Sequence, residues 1–282
     1  MSAISYLNTA PLMWDFEHGD AVADFDISYT IPSDCARALS EGTGDIGIIP
    51  AAAYTTVPDL VIVPDIAIAA RTAVRSILLV SKMPIDQVRT VALDSSSLTS
   101  VALTKILFAK WFGGPRVYSA MPPNLDAMLA SCDAALLIGD PALQVDRERY
   151  FTLDLAEEWI ARTGKSFVFA FWAIRAQALV GRDDAAIAKV FQESRDHGLK
   201  PKNLEAIAHN WAPRLGLKIE SIRTYLAHNI HYYLDPPCLE GLELFYRYAA
   251  EVGALPAAPA LRFLSPVRYS SLKSSPAVAA PS

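Results

Sequence analysis

Short apolar runs alternate with helical patterns along this chain, and the alternation starts twice. In the first stretch the strand-like runs are Ala3–Tyr6, Ile27–Thr30, Ile46–Ile49, Leu60–Val63 and Ser76–Val80. A helix is expected over Ser33–Ser40, with Ser33 as N-cap after Pro32. The second stretch reads as strand Thr90–Leu93, helix Ser97–Trp111, strand Arg116–Tyr118, helix Asn124–Ser131 and strand Ala134–Ile138. Strands separated by helices pair in parallel, because a crossover returns the chain to run in the same direction. The fold class is therefore α/β. Asp154–Arg162 reads as a helix capped by Asp154 and ended by Gly164, and Phe167–Ile174 as a buried strand. Beyond it the pattern is helical over Asp184–His197, Asn203–Ala212, Ile219–Leu234 and Leu239–Val252. Met83-Pro84 and the strand around Phe169 bracket the second stretch, which makes them the expected crossing points between two lobes and the hinge for their closure. The tail Ser270–Ser282, rich in Ser, Pro and Ala, is expected to be disordered.

Several function classes fall away on charge and composition. A net charge of −5 opposes general nucleic-acid binding, which needs a basic face. Cys35, Cys132 and Cys238 are odd in number and widely spaced, unlike a disulfide framework or a structural zinc site. No apolar run approaches a membrane span, and Asp15, Glu17, His18 and Asp20 interrupt any signal-peptide core, so a cytoplasmic location is the expectation. Gly42-Thr-Gly-Asp-Ile-Gly47 has the letters of a dinucleotide motif but follows a helix and opens a strand, the reverse of what that motif requires. His228 and His231 lie three apart in a helical pattern, with no carboxylate or third imidazole at ligand spacing, and no metal site is expected.

The segment with most chemistry follows the strand at Thr90. After Asp94 come five hydroxyl residues in six positions: Ser95, Ser96, Ser97, Thr99 and Ser100. A helix N-terminus has unpaired N–H groups and the positive end of the dipole, so the segment suits a carboxylate or phosphate. One hydroxyl is enough for a cap, so five point to a ligand. No GxSxG is present, and no serine has an assignable His and acid partner. Gly139 lets backbone approach a ligand at the end of a strand, and Asp140 either accepts a ligand hydroxyl or caps a turn. Asn8, at the end of the first strand, either offers its amide to a ligand or closes an Asx turn. Arg71 and Arg75 flank the Ser76 strand and read as solvated surface arginines.

Taken together these segments resemble one family. Tyr6-Leu-Asn-Thr-Ala-Pro-Leu12, Asp94-Ser-Ser-Ser-Leu-Thr-Ser100, Met121-Pro-Pro-Asn-Leu-Asp126 and Ala134-Ala-Leu-Leu-Ile-Gly-Asp-Pro141 look like the chorismate dehydratases of menaquinone biosynthesis by the futalosine route. So do Phe167-Val-Phe-Ala-Phe-Trp172 and Tyr225-Leu-Ala-His-Asn229. The resemblance implies a two-lobed fold like the type II periplasmic binding proteins, with a helical C-terminal region packed on the first lobe. Residues 1–84 and 173–265 would form that lobe, 85–172 the second, and 266–282 a disordered tail. It further implies loss of water from chorismate to give 3-[(1-carboxyvinyl)oxy]benzoate, with no cofactor. In that frame Asn8 is the candidate catalytic residue. Ser76, Asp94, Ser95, Ser96, Ser97, Thr99, Gly139 and Asp140 are the candidate substrate contacts. A sister family makes 1,4-dihydroxy-6-naphthoate, but its opening is built around Cys-Pro-Asn-Asp, where this chain has Leu7-Asn8-Thr9. A non-catalytic carboxylate-binding protein of the same fold is the other reading.

Overall fold

The structure is a computed structural model and describes residues 1–19 and 25–265. Its strands are β1 (Ser2–Ile4), β2 (Ser28–Thr30), β3 (Ile46–Pro50), β4 (Leu60–Ala70), β5 (Ile77–Ser81), β6 (Thr90–Asp94), β7 (Val117–Met121), β8 (Ala134–Ile138), β9 (Phe151–Asp154) and β10 (Phe167–Arg175). The helices are α1 (Trp14–His18), α2 (Pro32–Glu41), α3 (Thr99–Lys110), α4 (Leu125–Ser131), α5 (Gly139–Leu143), α6 (Leu155–Thr163), α7 (Asp184–Gly198), α8 (Pro201–Leu215), α9 (Ile219–Thr224) and α10 (Pro236–Glu251). The expected disordered tail lies outside the described residues.

The strands form two five-stranded sheets, ordered β2-β1-β3-β10-β4 and β7-β6-β8-β5-β9. β1 pairs in parallel with β2 and β3, and β6 with β7 and β8, as the alternation predicts. β10 and β5 run antiparallel to both of their neighbours. Each is the strand that enters its sheet from the other lobe, so it is not joined to its neighbours by a crossover helix. Sheet membership also moves the expected lobe boundaries. β5 belongs wholly to the second sheet and β10 wholly to the first, so the chain crosses at residues 71–76 and again at 155–166. Pro84 only turns the chain into a short 3-10 segment, Ile85–Gln87. The first crossing is pinned instead by Asp154, whose carboxylate accepts the backbone N–H of Val74 (3.2 Å) and Arg75 (2.6 Å).

Helix ends follow their caps. Asp154 accepts from the N–H groups of Ala156 and Glu157, and Gly164 closes α6 in the left-handed conformation, as the sequence predicts. Gly42 closes α2 in the same way, so the glycine-rich hexapeptide is a turn between α2 and β3. Two expectations change. Pro32 occupies the first turn of α2, which puts Ser33 inside the helix rather than at its cap. The helix expected over Ile219–Leu234 ends early: α9 stops at Thr224, and a wide π-type turn covers Tyr225–Asn229.

The C-terminal helices hold the first lobe together. α7 packs on α1, on β4 and on the 3-10 segment Leu7–Met13 that follows β1. Gly198 makes that approach possible: a Cβ there would lie 1.9 Å from the Pro11 carbonyl oxygen. α10 packs on β10 and also reaches α3 of the second lobe. The main apolar core is continuous across both lobes, and its centre is β10, where Phe167–Ile174 are all buried. Burial on both faces explains why that strand shows no alternation in the sequence.

Candidate active site

A cavity of about 50 Å³ lies between the lobes, where the carboxyl ends of β1, β3, β6 and β8 converge. Tyr6, Asn8 and Thr9 form its wall on the first lobe, and Ser97, Thr99, Ser100 and Gly139 its wall on the second. Ile4, Ile68, Ile77, Ile138 and Phe169 supply the apolar surface. Among the described residues no Lys, Arg, His, Asp or Glu lines it.

The serine tract divides by function once it is folded. Ser97, Thr99 and Ser100 reach the cavity. Ser97 Oγ accepts from the Ser100 N–H at 3.2 Å, which sets the first turn of α3. The Thr99 hydroxyl donates to the Phe169 carbonyl (3.0 Å) and accepts from the Ala52 N–H (3.0 Å), so it pins α3 to the first lobe. Ser96 lies behind the wall, its Oγ donating to Asp94 Oδ1 at 2.6 Å. Ser95 is exposed and outside the cavity.

Asp94 is fully buried and braces rather than lines the site. Oδ1 also accepts the Ser96 N–H (2.9 Å), and Oδ2 accepts the Ile138 N–H (3.3 Å), which ties the end of β6 to the end of β8. Burial raises its pKa, and these hydrogen bonds pull it back down.

Gly139 has φ +61°, and a Cβ on it would sit 2.7 Å from the Tyr6 ring. The sequence predicts a residue without Cβ for approach to a ligand, and the structure adds that the closest approach is to Tyr6. Tyr6 OH in turn lies 3.4 Å from Ser96 Oγ, across the cleft. Asp140 is not the N-cap of α5, which begins one residue earlier. Its Oδ1 accepts the Leu7 N–H at 3.0 Å, a hydrogen bond between lobes. Burial pushes its pKa up to about 6, against the lowering effect of the Leu7 N–H.

Asn8 makes no Asx turn: its Oδ1 is buried and has no hydrogen-bond partner. Ser76, fully buried, accepts the Tyr225 hydroxyl at its Oγ (2.8 Å), and its carbonyl accepts the Gly139 N–H (2.8 Å). Arg71 is exposed and pairs with Asp235, while Arg75 is held by Asp154 and through its carbonyl by Arg147. Neither arginine lines the cavity.

One grouping was not visible in the sequence. His231, Asp235 and Cys238 lie with their ligand atoms within 4.8 Å of one another, so a carboxylate does reach His231. That carboxylate already accepts from His231 (2.8 Å), from the Cys238 N–H (3.1 Å) and from Arg71. A guanidinium on the shared carboxylate opposes a second cation there. His228 stays apart and exposed.

Tyr6 and Phe169 line the cavity and were missed by sequence reasoning, as was Tyr225, which reaches the site only through Ser76; Ser100 belongs to the expected hydroxyl tract but not to the expected contacts. Tyr6 and Tyr225 sit inside segments that carried the resemblance, yet only the fold puts their rings against Gly139 and Ser76.

A family model described as menaquinone biosynthesis matches residues 1–251. The chain belongs to that family. Within reach of the family is a curated relative from Thermus thermophilus named chorismate dehydratase, 31% identical over 276 residues, covering 90% of this chain and 94% of the relative. Among solved structures, the protein AF1704 from Archaeoglobus fulgidus superposes with a TM-score of 0.72 at 17% identity, covering 90% of this chain and 97% of that one. The periplasmic aliphatic sulphonate binding protein SsuA from Escherichia coli superposes with a TM-score of 0.62 at 18% identity, covering 92% and 94%. The family member described here therefore has a periplasmic-binding-protein-like fold. Among its described residues no helix is long and apolar enough to cross a membrane.

Proposed function

We propose that the interlobe cleft dehydrates chorismate to 3-[(1-carboxyvinyl)oxy]benzoate, which makes the protein a carbon–oxygen lyase. The likeness to the Thermus chorismate dehydratase along nearly the whole of both chains carries this reading. The cleft suits the chemistry. The reaction removes the ring C3 proton and the C4 hydroxyl, and aromatisation drives it. No electrons are gained or lost, so the chemistry calls for no redox cofactor.

In this reading the first turn of α3 takes one carboxylate, with Ser97 and Ser100 adding hydroxyls. The isoleucines and Phe169 hold the ring and exclude water. Asn8 and Ser76 hold the departing hydroxyl. No basic side chain lines the cavity, so the substrate's enolpyruvyl carboxylate takes the C3 proton. As the C4–O bond breaks, the leaving hydroxyl takes that proton from the enolpyruvyl carboxyl and departs as water, which restores the carboxylate. The protein contributes orientation and preorganised dipoles. A cavity of about 50 Å³ holds only a few waters, so binding requires the lobes to part about the crossings at 71–76 and 155–166.

The test is to mix purified protein with chorismate and follow the aromatic product by absorbance and chromatography. Enzyme-dependent formation of the enolpyruvyl benzoate supports the reading, and unchanged chorismate after long incubation overturns it. Binding without turnover would indicate a non-catalytic carboxylate-binding protein of the same fold. Turnover of a cyclic futalosine derivative in place of chorismate would indicate the naphthoate synthase activity.

A further inference from the structure

Tyr225 is 2% exposed, yet its hydroxyl is directed at the side chain of Ser76, fully buried next to the cavity-lining Ile77, rather than at a backbone carbonyl. It donates to Ser76 Oγ at 2.8 Å across 149 residues of sequence. The surrounding chain holds it there on both sides. The π-type turn closes with the Ile230 N–H on the Tyr225 carbonyl at 3.2 Å. Asn229 Nδ2 donates to the Ala73 carbonyl at 2.9 Å, on the first crossing between lobes. Ala69 and His231 exchange two backbone hydrogen bonds of 2.8 and 2.9 Å at the end of β4. Wide π-type turns often mark functional positions, and this one registers a phenol against a single serine.

A serine hydroxyl has one proton and two acceptor sites. Once Ser76 Oγ accepts from Tyr225, its own proton is free for a different partner. Asn8 approaches the same phenol, and its Oδ1 is the buried acceptor without a partner. Burial raises the Tyr225 pKa far above the ordinary value, so the phenol remains a donor throughout the working pH range. Asp140 and Asp154 carry the other charges acting on it, and both reinforce that direction.

We propose that Tyr225 is a positioning residue: by donating to Ser76 it commits the serine's single proton to the cleft, where Ser76 and Asn8 hold the departing hydroxyl. This rests on the dehydratase reading. A hydroxyl fixed in one rotamer acts without the loss of freedom that a rotating one incurs, and the gain appears in turnover more than in binding. Tyr232 is the internal control. It is buried seven residues on, in the same neighbourhood, and its hydroxyl has no partner.

The experiment is a double-mutant cycle on chorismate turnover, with melting temperatures measured alongside. Tyr225→Phe is expected to lower kcat about tenfold, the effect of one well-placed hydrogen bond, while KM moves less than threefold. Ser76→Ala should lower kcat further, and the double variant should be no slower than Ser76→Ala alone. Tyr232→Phe should keep the wild-type kcat. Ser76→Cys leaves Tyr225 intact and tests the donor should Tyr225→Phe unfold; its kcat is expected between Ser76→Ala and wild type. The proposal is overturned by wild-type kcat in Tyr225→Phe, by losses that multiply in the double variant, by an equal loss in Tyr232→Phe, or by Ser76→Cys falling to the level of Ser76→Ala. A wild-type protein that forms no aromatic product fails the dehydratase reading itself. Wild-type turnover with multiplying losses fails only the role given to Tyr225.

Discussion

The two lobes share one strand order but meet the cleft with different chemistry. β1 and β6 hold equivalent places, each between two parallel neighbours. After β1 the chain enters the buried 3-10 segment Leu7–Met13 and presents an amide, Asn8. After β6 it enters a run of hydroxyls and a twelve-residue helix. The second lobe thus offers donors and a helix dipole for an anion, while the first offers an unpartnered acceptor beside apolar surface. Under the proposed dehydration this difference is a division of labour: the second lobe would hold charge, and Asn8 of the first would hold the group that leaves.

Five substitutions break or sharpen that comparison. Asn8→Ala, on the first lobe, should lower kcat about a hundredfold with KM nearly unchanged, as when one preorganised polar group is lost from an active site. A change in KM alone would make Asn8 a simple contact. Thr99→Val removes the hydroxyl that bridges the lobes and leaves the Ala52 N–H and Phe169 carbonyl buried without it. Denaturant unfolding should show a loss of about 2 kcal/mol.

Asp140→Asn keeps an acceptor for the Leu7 N–H but removes a buried charge. The folded carboxyl has its pKa up to about 6, above its unfolded value, so ionisation costs the fold. Below the unfolded pKa the cost is absent; it grows as pH rises through about 6 and is constant above. At pH 7 the variant should therefore be more stable by about 1–2 kcal/mol after allowance for partial exposure, and the gain should vanish near pH 4. A gain that persists at low pH would rule out the charge as its source. The smallest effect contrasts two serines of one tract. Ser97→Ala should raise KM about fivefold, whereas Ser95→Ala, exposed and outside the cavity, should leave kcat and KM within twofold. Equal effects would contradict the placement of α3.

Much of the fold was legible because local rules agree with the final packing. Asp154 and Gly164 bound α6 as their side chains dictate, and the β6–α3–β7–α4–β8 succession follows from periodicity. The lobe boundaries were not legible. Pro84 marks a turn, while the crossing at 71–76 depends on Asp154, about eighty residues away in sequence. The break after Thr224 was hidden because Tyr225–Asn229 keeps helical composition, and only pairing with Ala69 and Ala73 draws the chain off the helix axis.

The candidate site shows the same split. Residue types and local order alone determined that a hydroxyl-rich helix start, an amide after the first strand and a Gly-Asp strand end would be present. Those are properties of short segments, set by caps, turns and periodicity. Which hydroxyls are already engaged by the protein itself was decided by the folded structure, since the Ser96 hydroxyl donates to Asp94, the Thr99 hydroxyl bridges Ala52 and Phe169, and Ser76 Oγ accepts from Tyr225. Apart from Asp94, two residues from Ser96, those partners lie far apart along the chain, and a hydrogen bond depends on where atoms meet in space rather than on their spacing in sequence.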